Sequence, residues 1–413
     1  MTTDFVPWAL TRLYGDDFAR DPQTTYRKLR SIGPIAPAEI APDVPALIVT
    51  SHRAALAVLH NTATFSKDSR LWADLNAGRI PPDSPVLPLM GYRASVLYAD
   101  GEEHARLRRA LDDCLARVST HDLSDITRRA TLRLIADAAP RGHADVMAEL
   151  ADVVPLYVFA ELLGCPTDVA SRMVAGCQDI IAAGPKAAAG AAEFVASLLE
   201  VIQLKQRAPG QDITSWMLAH PARMTGEEIL NQLYCLVGAG MVPTAAWIAH
   251  SLRLLLTDDA YVGDLTEGTV TVRRALEKAL WERAPMANFS VHYARNPVVV
   301  EGVSVPAGVP VLISHAAANT DPMLPPDLGF NNRSHLAWSA GPHRCPAVTQ
   351  ATVIAQVAIE TVMDRLWDMR LAEPGEPPVN RPGPFHQCPV AMHVRFSPKE
   401  APVTPAPASG GSA

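Results

Sequence analysis

The stretch that most limits what this chain can become lies near its C-terminal end: Trp338-Ser339-Ala340-Gly341-Pro342-His343-Arg344-Cys345-Pro346-Ala347, followed directly by a long apolar-periodic segment. Gly341 and Pro342 dictate a tight, non-helical turn, and Pro346 suits a first helical position because its missing N–H would be unpaired there anyway. The Cys345 sulfur is therefore expected at a helix N-terminus, where the helix dipole and Arg344 favour thiolate over thiol, the form able to ligate a metal. For a lone cysteine the plainer reading, an ordinary buried side chain, carries the greater weight.

A chain of 413 residues, 48% hydrophobic and 19% charged, has ample material for a large core. Its length alone suggests two or three domains, yet no linker-like break interrupts it before the tail. The net charge of -7 argues against a nucleic-acid partner, which calls for a basic surplus. Met1-Thr2-Thr3-Asp4 has neither a basic start nor an apolar core, and no apolar run stands out as a membrane span, so no signal peptide or anchor is expected. The reading is a soluble cytoplasmic protein without a membrane partner. Cys114, Cys165, Cys177, Cys235, Cys345 and Cys388 include no CxxC pair and no zinc spacing, which fits a reducing compartment.

Context reverses the weighting at Cys345. An aromatic residue seven positions before it (Trp338), a glycine four before (Gly341) and a histidine two before (His343) resemble the cysteine-loop signature of the cytochrome P450 superfamily. Trp338 stands where phenylalanine is usual, and Ser339 and Ala347 replace two usual glycines, but the spacing is intact. The resemblance covers about residues 20–397. It implies a mainly α fold with a small β lobe (α+β): a triangular helical domain around a buried haem b. Residues 1–398 would form this single domain, with the β-rich lobe mainly from about 35–65, 290–315 and 378–397, and 399–413 a disordered tail rich in Pro, Ala, Ser and Gly. Cys345 is then implied as the metal ligand, with Trp338 and His343 beside the cofactor. Dioxygen and electrons from NAD(P)H, delivered by a ferredoxin and ferredoxin reductase, are implied with it, the thiolate favouring O–O cleavage.

Taken in order, Ala46 to Thr50 reads as a strand and His52 to His60 as a helix. The Pro-, Gly- and Asp-rich run 71–97, with Leu87, Leu89, Met90 and Tyr92 interspersed, is a long loop of the kind that is usually functional; in the family this region roofs the pocket. A helix starting near Asp100 places His104 and Arg108 on one face. Alone they read more readily as a solvated basic patch. The resemblance implies that they hold a haem propionate, and that Arg106 and Arg109 face an acidic electron donor. Helical patterns fill 121–222, and in the family the pair near 167–206 closes over the pocket.

Thr225, with Glu228 three residues on, starts a helix that runs to about Thr257. Inside it, Pro243 cannot donate to the carbonyl of Ala239, so a groove and a free carbonyl are expected there. A helix that ends at Pro243 is disfavoured because Ala245 to Leu256 continues the pattern. The family uses such a groove as the dioxygen site, which implies Ala239, Gly240 and Thr244 as catalytic positions. The usual acid and alcohol correspond here to Val242 and Pro243, leaving Thr244 as the hydroxyl at hand. The usual Glu-x-x-Arg pair corresponds to Lys278 and Trp281, with Arg333 remaining from the network; an actinobacterial subset with Glu-x-x-Leu-Trp and Pro-Thr is similar. Trp281 is expected to fill the lost pair's space with apolar bulk.

Met286 to Tyr293 is implied to pass beside the haem, with His292 in place of a propionate-binding arginine and His335 as a further propionate ligand. The expected substrate pocket comprises Met241, Val242, Met286, Ala287, Phe289 and Ser290, with Leu89 and Phe385 from loops. Function follows as a haem-thiolate oxidase of natural-product metabolism acting on a small molecule. Oxidative C–C or C–N coupling of aromatic groups, as in a Trp- or Tyr-containing cyclic dipeptide or peptide, stands slightly ahead of hydroxylation of a small natural product. A non-catalytic haem ligand-binding or sensor protein is the reading from another class.

Overall fold

The computed structural model describes residues 10–182, 186–258, 269–325 and 332–399. The strands are β1 (Thr11–Arg12), β2 (Ile35–Ala41), β3 (Val44–Val49), β4 (Phe65–Ser66), β5 (His143–Asp145), β6 (Asn288–Ala294), β7 (Val298–Val300), β8 (Val303–Val305), β9 (Pro310–Ser314), β10 (Arg370–Leu371) and β11 (His393–Arg395). A six-stranded sheet runs β1-β2-β3-β9-β6-β4. Its centre is buried on both faces, so β3 and β9 read as unbroken apolar runs and pair in parallel, Leu47 opposite Val311. β6 pairs antiparallel with β9, and its register shifts between Phe289 and His292. That bulge, with Ser290 at φ 48, re-aims one side chain of the strand, which is how bulges commonly serve sites. The hairpin β7–β8 turns at Glu301-Gly302 with φ 49 and 80, values that suit the primed two-residue turns. Segment 378–397 contributes β11 to a separate sheet, β10-β11-β5, rather than a strand to the large one. The tail from residue 400 lies outside the described residues.

Helices make up most of the remainder. The long helix Gly226–Thr257 begins with a complete capping box: Glu228 N–H donates to Thr225 Oγ1 at 3.1 Å and Thr225 N–H donates to Glu228 Oε2 at 2.7 Å. It continues unbroken through Pro243. Its first half packs Ile229, Leu233 and Leu236 into one core cluster, and its second half packs Trp247, Ile248 and Leu252 into another. The helix thereby forms the axle of the helical layer. It is also long and apolar enough to cross a bilayer, contrary to the sequence expectation, but 61% of that apolar window is buried inside the protein.

The region expected to lack the Glu-x-x-Arg pair is held by other contacts. Glu277, one residue before the expected position, meets His335 Nε2 at 3.1 Å, and His335 is 5% exposed. Trp281 stands edge-on to the His335 ring at 5.6 Å and donates Nε1–H to the carbonyl of Asn332 at 3.0 Å. Asn319 completes the joint, donating to Leu280 O at 3.0 Å and accepting from Leu336 N–H at 2.7 Å. Arg333 is exposed, and Lys278 turns instead to Asp258 at 2.6 Å. Trp281 is half-buried, so Trp281→Ala should cost about 2–3 kcal/mol, the lower end for losing an indole together with its hydrogen bond. Denaturant unfolding with unchanged m-value checks it.

Candidate active site

A cavity of about 260 Å³ opens between the long helix and the cysteine loop. The helix presents Leu236, Ala239, Gly240, Pro243, Thr244 and Trp247 to it, the three- and four-residue spacing of one helical face. That same spacing corrects the expectation for Met241 and Val242, which fall on the flanks and pack into the two core clusters instead. Gly240 lets the Phe159 ring approach the helix closely: a Cβ there would meet Phe159 Cζ at 2.2 Å, so the ring would have to shift. Phe159 comes from the helix Val153–Leu162 and lines the same cavity. Gly240→Ala should push that ring inward and weaken binding of a bulky ligand about tenfold, roughly what one misplaced apolar group costs; titration of ligand-induced spectral shifts reads it.

The opposite wall is the cysteine loop. Ser339 and Gly341 both take the left-handed backbone conformation, φ 59 and 70, and Cys345 N–H donates to the Trp338 carbonyl at 2.9 Å, which closes the loop. Arg108 clasps it from the helix Gly101–Ala116, donating Nη1–H to Pro342 O at 2.9 Å and Arg344 O at 2.7 Å, while its Nε–H reaches Asp112 at 2.8 Å. The following helix is Val348–Arg365 with Ala347 as N-cap. It starts later than expected, and Pro346 precedes it. Burial pushes the Cys345 thiol up, against the pull of an Ala347 backbone hydrogen bond and of the Arg108 and Arg344 charges. The helix end alone therefore does not make a thiolate; a bound metal ion does so directly.

His104 is buried, its ring 4.0 Å from that of His343, and its Nε2 has no partner. Burial lowers the pKa of both imidazoles. Both line the cavity, as do Arg108 and Trp338. From β6, Phe289 and Ser290 reach it, and Met286 does so from the segment just before that strand. Ala287 points into the core beneath, and Phe385 stacks edge-on behind Phe289 at 5.7 Å. Leu89 lines a second, much smaller cavity and is 37% exposed. His292 is buried beside Phe65, donating Nδ1–H to the Ser290 carbonyl, and does not reach the main cavity wall. His335, expected at a propionate, is committed to Glu277 and Trp281 outside the cavity. Arg106, expected on a docking face, instead pairs with Glu228; Arg109 is exposed. Among the described residues, no side chain from the helices Thr167–Ala182 and Ala187–Arg207 lines the cavity.

Sequence reasoning missed a polar chain on the wall. His315 donates Nδ1–H to Met286 O at 2.9 Å, which leaves its Nε2 to accept from Ser290 Oγ at 3.4 Å. Ser290 Oγ in turn lies 3.2 Å from Ser339 Oγ. Burial holds the His315 imidazole neutral, its pKa down to about 4. Ser339 carried a signal, since a residue replacing a loop glycine keeps the glycine's backbone while adding a hydroxyl; His315 sits in an apolar run and carried none.

Among the described residues no three His, Cys, Asp or Glu side chains cluster to hold a bare metal ion. A metal held by Cys345 would therefore bring its remaining ligands with it, as the iron of a haem would. The unpartnered His104 Nε2 and the Arg108 guanidinium suit its acidic edge. No protein-family model matches the chain. It is 29% identical over 384 residues to the cytochrome P450 monooxygenase PikC of Streptomyces venezuelae, covering 88% of each chain. To the nocardicin C N-oxygenase of Nocardia uniformis subsp. tsuyamanensis it is 28% identical over 406 residues, 93% of this chain and 98% of the relative. Among solved structures it superposes on CYP154A1 from Streptomyces coelicolor A3(2) with TM-score 0.78 at 26% identity, over 94% of this chain and 100% of that one. The chain has the cytochrome P450 fold and is similar to bacterial cytochrome P450s over most of its length. Its cofactor is haem b, used with dioxygen and electrons from NAD(P)H through redox partners, and this P450 is an oxidoreductase.

Proposed function

We propose that this P450 oxidises a small, largely apolar natural product in the cytoplasm, served by a ferredoxin and its reductase, and that the outcome is oxidative coupling of aromatic groups. Bound at Cys345, haem supplies the oxidising power drawn from dioxygen and two electrons. The chain's own residues decide what that power meets. One observation carries the reading: among the described residues no Asp or Glu lines the cavity, and the helix positions that would offer an acid and an alcohol hold Val242, turned into the core, and Pro243. A substrate bearing its own N–H or O–H makes good that deficit. Phe159, Phe289, Trp247 and Trp338 give the wall an aromatic character suited to stacked rings, as in a Trp- or Tyr-containing cyclic dipeptide.

Oxygen insertion is the second reading. It is favoured by the relatives' names, a monooxygenase and an N-oxygenase, and by Thr244, whose side chain lines the cavity and can hold a proton-bearing water. Turnover under isotopically labelled dioxygen separates the two. Coupling is expected to give a product free of label with a new carbon–carbon or carbon–nitrogen bond, and label in the product rejects it.

A further inference from the structure

Lys67 is buried where a lysine is seldom found, 5% exposed in the turn after β4. Its nearest carboxylate, Asp100, is already committed. Oδ1 of Asp100 accepts the backbone N–H of Lys67 at 3.1 Å, and Oδ2 takes the Ser66 hydroxyl and Arg295 Nη2, the latter at 2.8 Å. Among the described residues the Lys67 ammonium makes no hydrogen bond or ion pair. Its charge acts on His104, His292, His315 and His343, so it lies within electrostatic reach of the cavity's histidine side. These four are imidazoles held neutral by burial, which leaves Asp100, already shared among other donors, as the carboxylate that acts on the ammonium.

More donors point the same way. A second cavity of about 10 Å³, lined by Lys67, Ser69 and Tyr293, has room for one water at most. The hydroxyls of Ser69 and Tyr293 have no partner, and neither does Nε2 of His104. A buried ammonium among unpaired donors requires an anion, because a neutral water cannot offset the charge. Burial, only partly offset by the Asp100 charge, brings the Lys67 pKa down to about 7, so a further adjacent anion is also what would keep it charged.

We propose that Lys67 holds a haem propionate, supplying the charge that His292, buried and neutral, does not. The inference rests on the haem assignment. Lys67 is a positioning residue: it anchors the cofactor's acidic edge and compensates its charge, and it touches no reacting atom.

The test uses purified holoenzyme with Lys67→Met, Lys67→Arg and the double variant Lys67→Met/His292→Arg. Haem per polypeptide, the rate of haem transfer to excess apomyoglobin and the reduction midpoint potential are measured for each. Lys67→Met should transfer haem about tenfold faster, the loss of one charge-assisted contact. Its potential should fall, because an uncompensated carboxylate favours the ferric state. Lys67→Arg and the double variant should both move back toward wild type, which restored packing alone would not produce at position 292. Wild-type transfer rate and potential in Lys67→Met would overturn the proposal, as would failure of arginine to rescue at either position. Wild-type protein that takes up no haem would instead bring down the cofactor assignment beneath it.

Discussion

Cys345→Ser should abolish the carbon-monoxide spectrum of thiolate ligation and reduce turnover to background, while Cys235→Ser leaves the spectrum intact. The comparison matters because two thiols line the cavity. Cys235 sits within the long helix, where its sulfur lies 3.4 Å from Ser95 Oγ and its backbone is spent on the helix. Cys345 sits in a loop whose shape is fixed independently of the helix; burial pushes its thiol up, and the Ala347 backbone and the Arg108 and Arg344 charges oppose that rise. Serine keeps the loop's volume but gives iron a much harder and more basic ligand. An unchanged spectrum in Cys345→Ser, or its loss in Cys235→Ser, would place the metal elsewhere.

Gly341→Ala should be nearly as damaging without touching the sulfur. At φ 70 an alanine is in a left-handed conformation that costs about 1–2 kcal/mol. Its Cβ would also stand 2.2 Å from the carbonyl oxygen of Leu59. That oxygen is backbone at the end of the helix His52–His60, so it cannot rotate aside, and the loop must move instead. The combined cost is about 3 kcal/mol or more. The expected protein is folded but haem-poor, seen as a fall in Soret absorbance per polypeptide together with a lower Tm. Gly375→Ala, where a Cβ meets nothing within 4 Å, is the control and should behave as wild type.

Periodicity and turn chemistry carried most of the architecture. The helix His52–His60, the hairpin at Glu301-Gly302 and the capping box at Thr225 stand where the pattern puts them, because each is decided by residues close in sequence. The cysteine loop was legible for the same reason. What failed was assignment of side chains to the cavity. Met241 and Val242 are adjacent to the catalytic helix face yet turned from it, a difference of about 100° per residue that a local motif does not register. His335 was misplaced because its partner, Glu277, lies 58 residues away. Lys67 and His315 were invisible for a related reason, since a lysine or histidine announces nothing until its burial is known.

The clasp of Arg108 on the cysteine loop joins residues 234 and 236 apart in sequence, and Gln350 reaches back 235 residues to the Leu115 carbonyl. During synthesis the long helix leaves the ribosome well before the wall it faces. At bacterial elongation rates the gap from residue 257 to 345 is roughly 5–20 s. Through that interval the apolar groove around Gly240 has no opposing wall and no place for a cofactor. Haem supply and chaperone occupancy during those seconds therefore bear on the yield of active enzyme, as does the thermodynamic stability of the finished fold. Slowing translation between these two points lengthens the exposure, and codon choice in that stretch becomes a lever on how much of the protein ever acquires its iron.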